Sequence, residues 1–179
     1  MKRILLLALA LLCALNVHAQ EGLDNLRIVG EEVIWQKIFT DSLSVSDIIW
    51  KLELSGKFKD IVVDHKHGCI CCSKKPERIN YSKLGISSLD VQIFLNDDCS
   101  YQAIIQVKDG MYRVTVRDVI FESHYKSTYQ RSSLSSLAIK KNEFVRSFMY
   151  GESPMILDTA FTEAFSFAQN AESYLSDEW

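Results

Sequence analysis

The sequence lacks the marks of the common enzyme classes. It has no G-x-S-x-G turn for a nucleophilic serine, no Walker loop for nucleotide phosphates and no zinc-protease helix. His124 has no nucleophile pattern near it. No D-x-[DN]-x-[DN]-G loop is present to take calcium. An enzyme therefore has no motif in its favour, and no cofactor is expected. Proline is scarce, with two residues, and glycine is held to seven. No internal repeat and no inter-domain linker breaks the pattern. Beyond the first twenty residues no run is long and apolar enough to span a bilayer, which takes ~20 apolar residues.

What is present begins with an export signal. Lys2 and Arg3 form a short positive segment, the uncharged "ILLLALALLCAL" follows, and Val17-His18-Ala19 supplies a small-x-small cleavage site. Cys13 belongs to this segment, because Leu12 stands where a lipoprotein signal needs a small residue. Residues 1–19 read as a signal peptide cleaved near Ala19-Gln20, which implies a periplasmic or secreted protein. About 160 residues remain, enough for one domain with a real core. Loss of Lys2 and Arg3 takes the formal net charge from -3 to -5. No nucleic-acid partner is expected, because that affinity comes mainly from neutralising phosphates.

Residues 20–31 read as a polar lead-in, and 32–179 as a single domain. "EVIWQKIFT" (32–40) is β-branched and aromatic, hence a strand. Val45, Ile48, Ile49 and Leu52 recur at helical spacing, behind a Ser44 or Ser46 cap and ahead of Gly56. Residues 57–66 and 69–79 read as strands around a turn at Gly68, and 89–97 as a further strand. Asp109-Gly110 demands a tight hairpin of type I′, which sets Val107 opposite Tyr112, Ile105 opposite Val114 and Ala103 opposite Val116. Residues 123–136 read as a Ser/Tyr-rich loop and 137–150 as a helix. Ser153-Pro154 then opens a last helix with Leu157, Phe161, Ala164, Phe165, Ala168 and Leu175 on one stripe. Strand, helix, meandering strands and helices give an α+β class, a mainly antiparallel sheet with helices packed on one face.

Two stretches, "VIWQKIFTDSLSVSDIIWKL…FKDIVVDHKHGCI" and "YQAIIQVKDGMYRVTVRDVIFE", resemble a bacterial exported family of unknown function described as having a TBP-like fold. The hairpin Lys108-Asp109-Gly110-Met111-Tyr112-Arg113 and the terminal Trp179 are similar to the family pattern. The resemblance covers roughly residues 31–123 and the end of the chain. It implies a TBP-like fold and brings no activity, ligand or catalytic residue. It does not bring DNA binding either, because a fold does not imply a function.

"VVDHKHGCICCSKK" (62–75) concentrates unusual chemistry. As one continuous strand, it would set His65, His67, Cys69 and Cys71 on one face, a donor set for zinc or copper. Residues two apart on a strand are ~6.5–7 Å apart, so one ion reaches at most two of them. As a hairpin turning at Lys66-His67, it would set Cys69 opposite Asp64 and Cys71 opposite Val62, with Ile70 and Cys72 on the apolar face. A disulfide from Cys99 to Cys69 or Cys71 is the third reading, allowed by an oxidising compartment.

Arg113 and Arg117 share a strand face with Gln106 and Lys108, a polar and mildly basic patch on the uncovered side. The sequence therefore points to an exported, non-catalytic binding or structural module of the cell envelope, its partner an envelope protein or ligand that is not legible. A metal- or thiol-based protein on His65, His67, Cys69 and Cys71 is the alternative.

Overall fold

A computed structural model of the protein describes residues 23, 25–125 and 128–167. The export segment, Ala168, Leu175 and Trp179 lie outside the described residues. Seven strands form one sheet: β1 (Leu26–Val29), β2 (Glu32–Phe39), β3 (Phe58–Asp64), β4 (Cys69–Arg78), β5 (Asp98–Lys108), β6 (Met111–Tyr125) and β7 (Thr128–Ser133). Their order is β1-β2-β6-β5-β4-β3, with β7 beside the far end of β6. All these pairs are antiparallel. Helices α1 (Val45–Leu54), α2 (Leu134–Ala138), α3 (Arg146–Met149) and α4 (Ser153–Phe165) complete the chain with a small hairpin of β8 (Ile139–Lys140) and β9 (Glu143–Phe144). Among the described residues no helix is long and apolar enough to cross a membrane.

Local chemistry explains the elements read correctly. Ser44 caps α1 by accepting from the Asp47 amide, and the Asp47 carboxylate accepts from the Ser44 amide, a reciprocal capping box. Ile48 and Leu52, one turn apart, are the buried stripe. Asp109 and Gly110 both take positive φ, 49° and 76°, as a type I′ turn requires. The register they impose pairs Val107 with Tyr112, Ile105 with Val114 and Ala103 with Val116.

The inner face of the sheet carries the core. Trp35 packs against Phe161 at 5.6 Å and Phe165 at 6.4 Å between ring centroids, and Phe58 against Phe165 at 5.5 Å. One helix face thus covers strands β2 and β3, which lie at opposite sides of the sheet path. Phe161, Phe165 and Phe167 are buried in this core.

Four expectations fail, each for a physical reason. The lead-in is not free of structure, since β1 pairs with β2 through a turn at Gly30, φ 65°. Residues 89–97 form no strand. Leu89 and Ile93 are 93% and 85% exposed while the adjacent Phe94 and Leu95 are both buried, and Ile93–Asn96 is a single 3₁₀ turn. The Ser/Tyr-rich segment is largely ordered: β6 runs on to Tyr125 and pairs with β7. A bulge makes this extension work. Asp118 takes φ 50°, so Val116 and Val119, three apart, both point inward. Residues 137–150 are not one helix either. Lys141 and Asn142 adopt left-handed conformations, φ 55° and 60°, and fold β8 against β9. Phe144 and Phe148 still stack, at 5.6 Å. The last helix starts as expected within one residue, with Glu152 rather than Ser153 in the cap position.

Candidate functional site: the uncovered sheet face

The sheet's outer face is assembled by register. Gln106 lies opposite Cys69 on one side and Arg113 on the other, and Arg113 lies opposite Ile38. With Asp64 opposite Cys69, a single row Asp64–Cys69–Gln106–Arg113–Ile38 crosses five strands. The next row is Val62–Cys71–Ile104–Thr115–Gln36. The cysteine segment and the Gln/Arg patch, read separately in the sequence, are neighbours on one surface.

The hairpin reading of residues 62–75 agrees with the observed register. Cys69 and Cys71 face outward, while Ile70 and Cys72 enter the core. Gly68 is fixed by close approach: its φ is 60°, and a Cβ there would lie 2.8 Å from the Val107 carbonyl oxygen. Val107 in turn donates its amide to the Gly68 carbonyl at 2.8 Å.

The metal arrangement is not assembled. His67 Nδ1 lies 2.6 Å from the Asp64 carboxylate, and this hydrogen bond is the main influence holding the Asp64 carboxyl below the ordinary carboxylate range. His65 is in the exposed turn. Among the described residues no three His, Cys, Asp or Glu side chains converge on a metal-sized position. The disulfide to Cys99 is not assembled either. Cys71 lies opposite Ile104, five residues along β5 from Cys99, a span of ~17 Å. Cys99 is also buried on the inner face, whereas Cys71 is exposed on the outer one. All four described cysteines are free thiols.

Three of these thiols, Cys69, Cys72 and Cys99, are shifted away from activation. Burial raises the Cys69 thiol pKa, and the neighbouring Cys71 raises it further. Burial pushes Cys72 and Cys99 up to about 12. A nucleophilic or metal-binding cysteine needs the opposite shift.

The basic character of the patch is also smaller than the sequence suggests. Arg117 is bound to Glu32 at 2.9 Å and to Asp118 at 3.5 Å, and Lys108 lies 3.8 Å from Asp109. Arg113 donates twice to the Gln106 side-chain oxygen, at 3.1 and 2.6 Å, and has no carboxylate partner among the described residues. Ile38, its cross-strand neighbour, is 58% exposed, and Val62, 66% exposed, lies on the same face beside Cys71. The sequence reading set Val62 opposite Cys71 but missed Ile38, since its place beside Arg113 depends on β2 joining β6. The alternation within 32–39 was the signal that put Ile38 outward.

No family model and no curated protein matches the chain. Two solved structures are similar to it. A DUF4468 family protein from Bacteroides ovatus ATCC 8483 covers 80% of this chain and 90% of its own, at 19% identity and a TM-score of 0.47. A TBP-like protein from Parabacteroides distasonis ATCC 8503 covers 80% of this chain and 97% of its own, at 14% identity and a TM-score of 0.52. The likeness to the latter is one of fold, and the α+β chain described here has a TBP-like fold.

Proposed function

We propose that the protein is a non-catalytic binding module of the bacterial cell envelope that docks a protein partner on its uncovered sheet face. The observation that carries this reading is the row Asp64–Cys69–Gln106–Arg113–Ile38, which sets one uncompensated guanidinium between hydrogen-bonding and apolar side chains. A flat surface of that mixture suits a protein interface better than a small anion. Arginine flanked by apolar contacts is a frequent source of binding energy in such interfaces. Export rests on the charge and hydropathy of residues 1–19, and on the cleavage pattern at Ala19.

Cys71 supplies a native attachment point for the test. It is exposed on the same face and carries a free thiol. A cleavable photo-crosslinker on Cys71 should capture one defined partner in intact cells. The Arg113→Glu, Ile38→Asp double variant should fold normally and lose that capture. An adduct pattern identical in the variant and the parent would sink the docking face. Intact mass of the exported protein checks the location separately: a chain beginning at Gln20 supports export, and one retaining residues 1–19 counts against it.

A further inference from the structure

A second site lies on the opposite side of the sheet. A cleft of about 490 Å³ opens between the end of β4, the 3₁₀ turn Tyr81–Leu84 and α4. Its volume falls in the range of small-molecule sites, ~300–1,000 Å³. Two local features create it. A bulge at Lys75-Pro76 bends β4 away from its neighbours, since Lys74 pairs with Tyr101 but Glu77 with Cys99. Ala160 and Ala164, one helical turn apart, line the cleft with minimal bulk.

The cleft is positively charged on an acidic chain. Lys57, Lys74, Arg78 and Lys83 line it against Glu77 and Glu163, while the whole sequence carries a formal charge of -3. One carboxylate, Glu77, is shared by two ammonium groups: Lys74 at 2.5 Å and Lys57 at 3.2 Å. Lys74 is the unusual member, because it points inward and is only 8% exposed. An ammonium has three donors. Lys74 spends one on Glu77 and one on the Lys75 carbonyl at 3.3 Å, which leaves the third. Across the strand pair stands Tyr101, 7% exposed, its ring against Phe161 at 5.1 Å. Its hydroxyl has no hydrogen-bond partner among the described residues, and the side chain lines the cleft.

We propose that this cleft binds a small organic carboxylate. The headgroup takes the spare donors of Lys74 and Tyr101, and a compact apolar body lies against Phe161, Ala160 and Ala164. A monoanion matches the charge left over when one glutamate serves two lysines. The aromatic and alanine wall favours an organic body over a bare inorganic ion. This site is independent of the docking face, which lies on the other side of the sheet.

The test is an NMR titration of the full exported chain with benzoate, its neutral isostere benzamide, and inorganic phosphate. Benzoate should bind saturably and shift the amides of Ala160, Ala164 and Tyr101. Benzamide and phosphate should each bind at least about tenfold more weakly, the loss expected when one charged hydrogen bond or the apolar contact is removed. Lys74→Met should weaken benzoate by a similar factor, and Tyr101→Phe by several-fold. The benzoate–benzamide comparison needs no variant, so a poorly folded Lys74→Met protein would not blunt it. Equal binding of benzamide, equal binding of phosphate, or no saturable shift at millimolar benzoate would each overturn the proposal.

Discussion

The indole of Trp35 donates its N–H to the carboxylate of Asp158 at 2.7 Å. Asn25 donates to the same oxygen at 2.6 Å. One acid on α4 thereby holds strand β2 and the chain just before β1. Asp158→Ala should cost about 1–3 kcal/mol, because it leaves the indole donor of a fully buried tryptophan unpaired. Asp158→Asn, which keeps an acceptor, should cost less. Urea denaturation of the two variants would check this; equal losses would mean that the helix contact, not the hydrogen bond, matters.

Gly68 and Gly30 both sit at positive φ, 60° and 65°, but in different surroundings. Nothing lies within 4 Å of a Cβ added at Gly30, so Gly30→Ala should cost only the left-handed strain of about 1–2 kcal/mol. Gly68→Ala adds the clash with the Val107 carbonyl and should cost clearly more. Thermal melts of the pair decide the point, and equal shifts would contradict the close approach.

Thiol chemistry separates the two faces. Under native conditions Cys71 should alkylate first and Cys69 more slowly, with Cys72 and Cys99 protected until the protein unfolds. Mass spectrometry should find four modifiable thiols at these positions after denaturation. A blocked pair would reinstate a disulfide and require a register other than the one observed.

Alkali should destabilise the fold through the same buried thiols. Cys72 and Cys99 rise from 9.0 to about 12 on folding, so the native state holds more protons than the unfolded chain between those values. Stability is therefore unaffected by them below pH 9 and falls as the pH rises toward about 12. Tyr101, also raised by burial, acts in the same direction. Cys99→Ala should flatten the slope of stability against pH over that window, as read by urea melts. An unchanged slope would show that other groups govern it.

Tyr112 ties the Asp109-Gly110 hairpin to the end of α4, since its hydroxyl donates to the Phe165 carbonyl at 2.7 Å in a buried position. Tyr112→Phe should cost about 1–2 kcal/mol and raise hydrogen exchange in the last turn of α4. Loss of stability without faster exchange there would assign the cost to packing alone.

Much of this molecule follows from local rules. Asp109-Gly110 accepts the left-handed geometry of a type I′ turn at little strain, and that turn fixes the registry of β5 on β6 as far as the bulge at Asp118. Ser44 and Asp47 cap α1, and the turn before Gly68 settles which cysteines face outward. These are interactions between residues close in the chain, so composition and spacing determine them. Tertiary structure decided the rest, because it depends on residues with no local relation. The bulge at Asp118 let β6 outrun its hairpin and capture residues 128–133, which polar composition alone marks as loop. The union of Cys69, Gln106, Arg113 and Ile38 into one row required a strand order that no short segment encodes. The pairing of Arg117 with Glu32, 85 residues apart, compensated one of the three bases of a patch visible in the sequence. Lys74 was legible only as a strand residue. Its burial beside Tyr101 depends on a bulge at Pro76 and on the two alanines of a helix that lies more than eighty residues away in the chain.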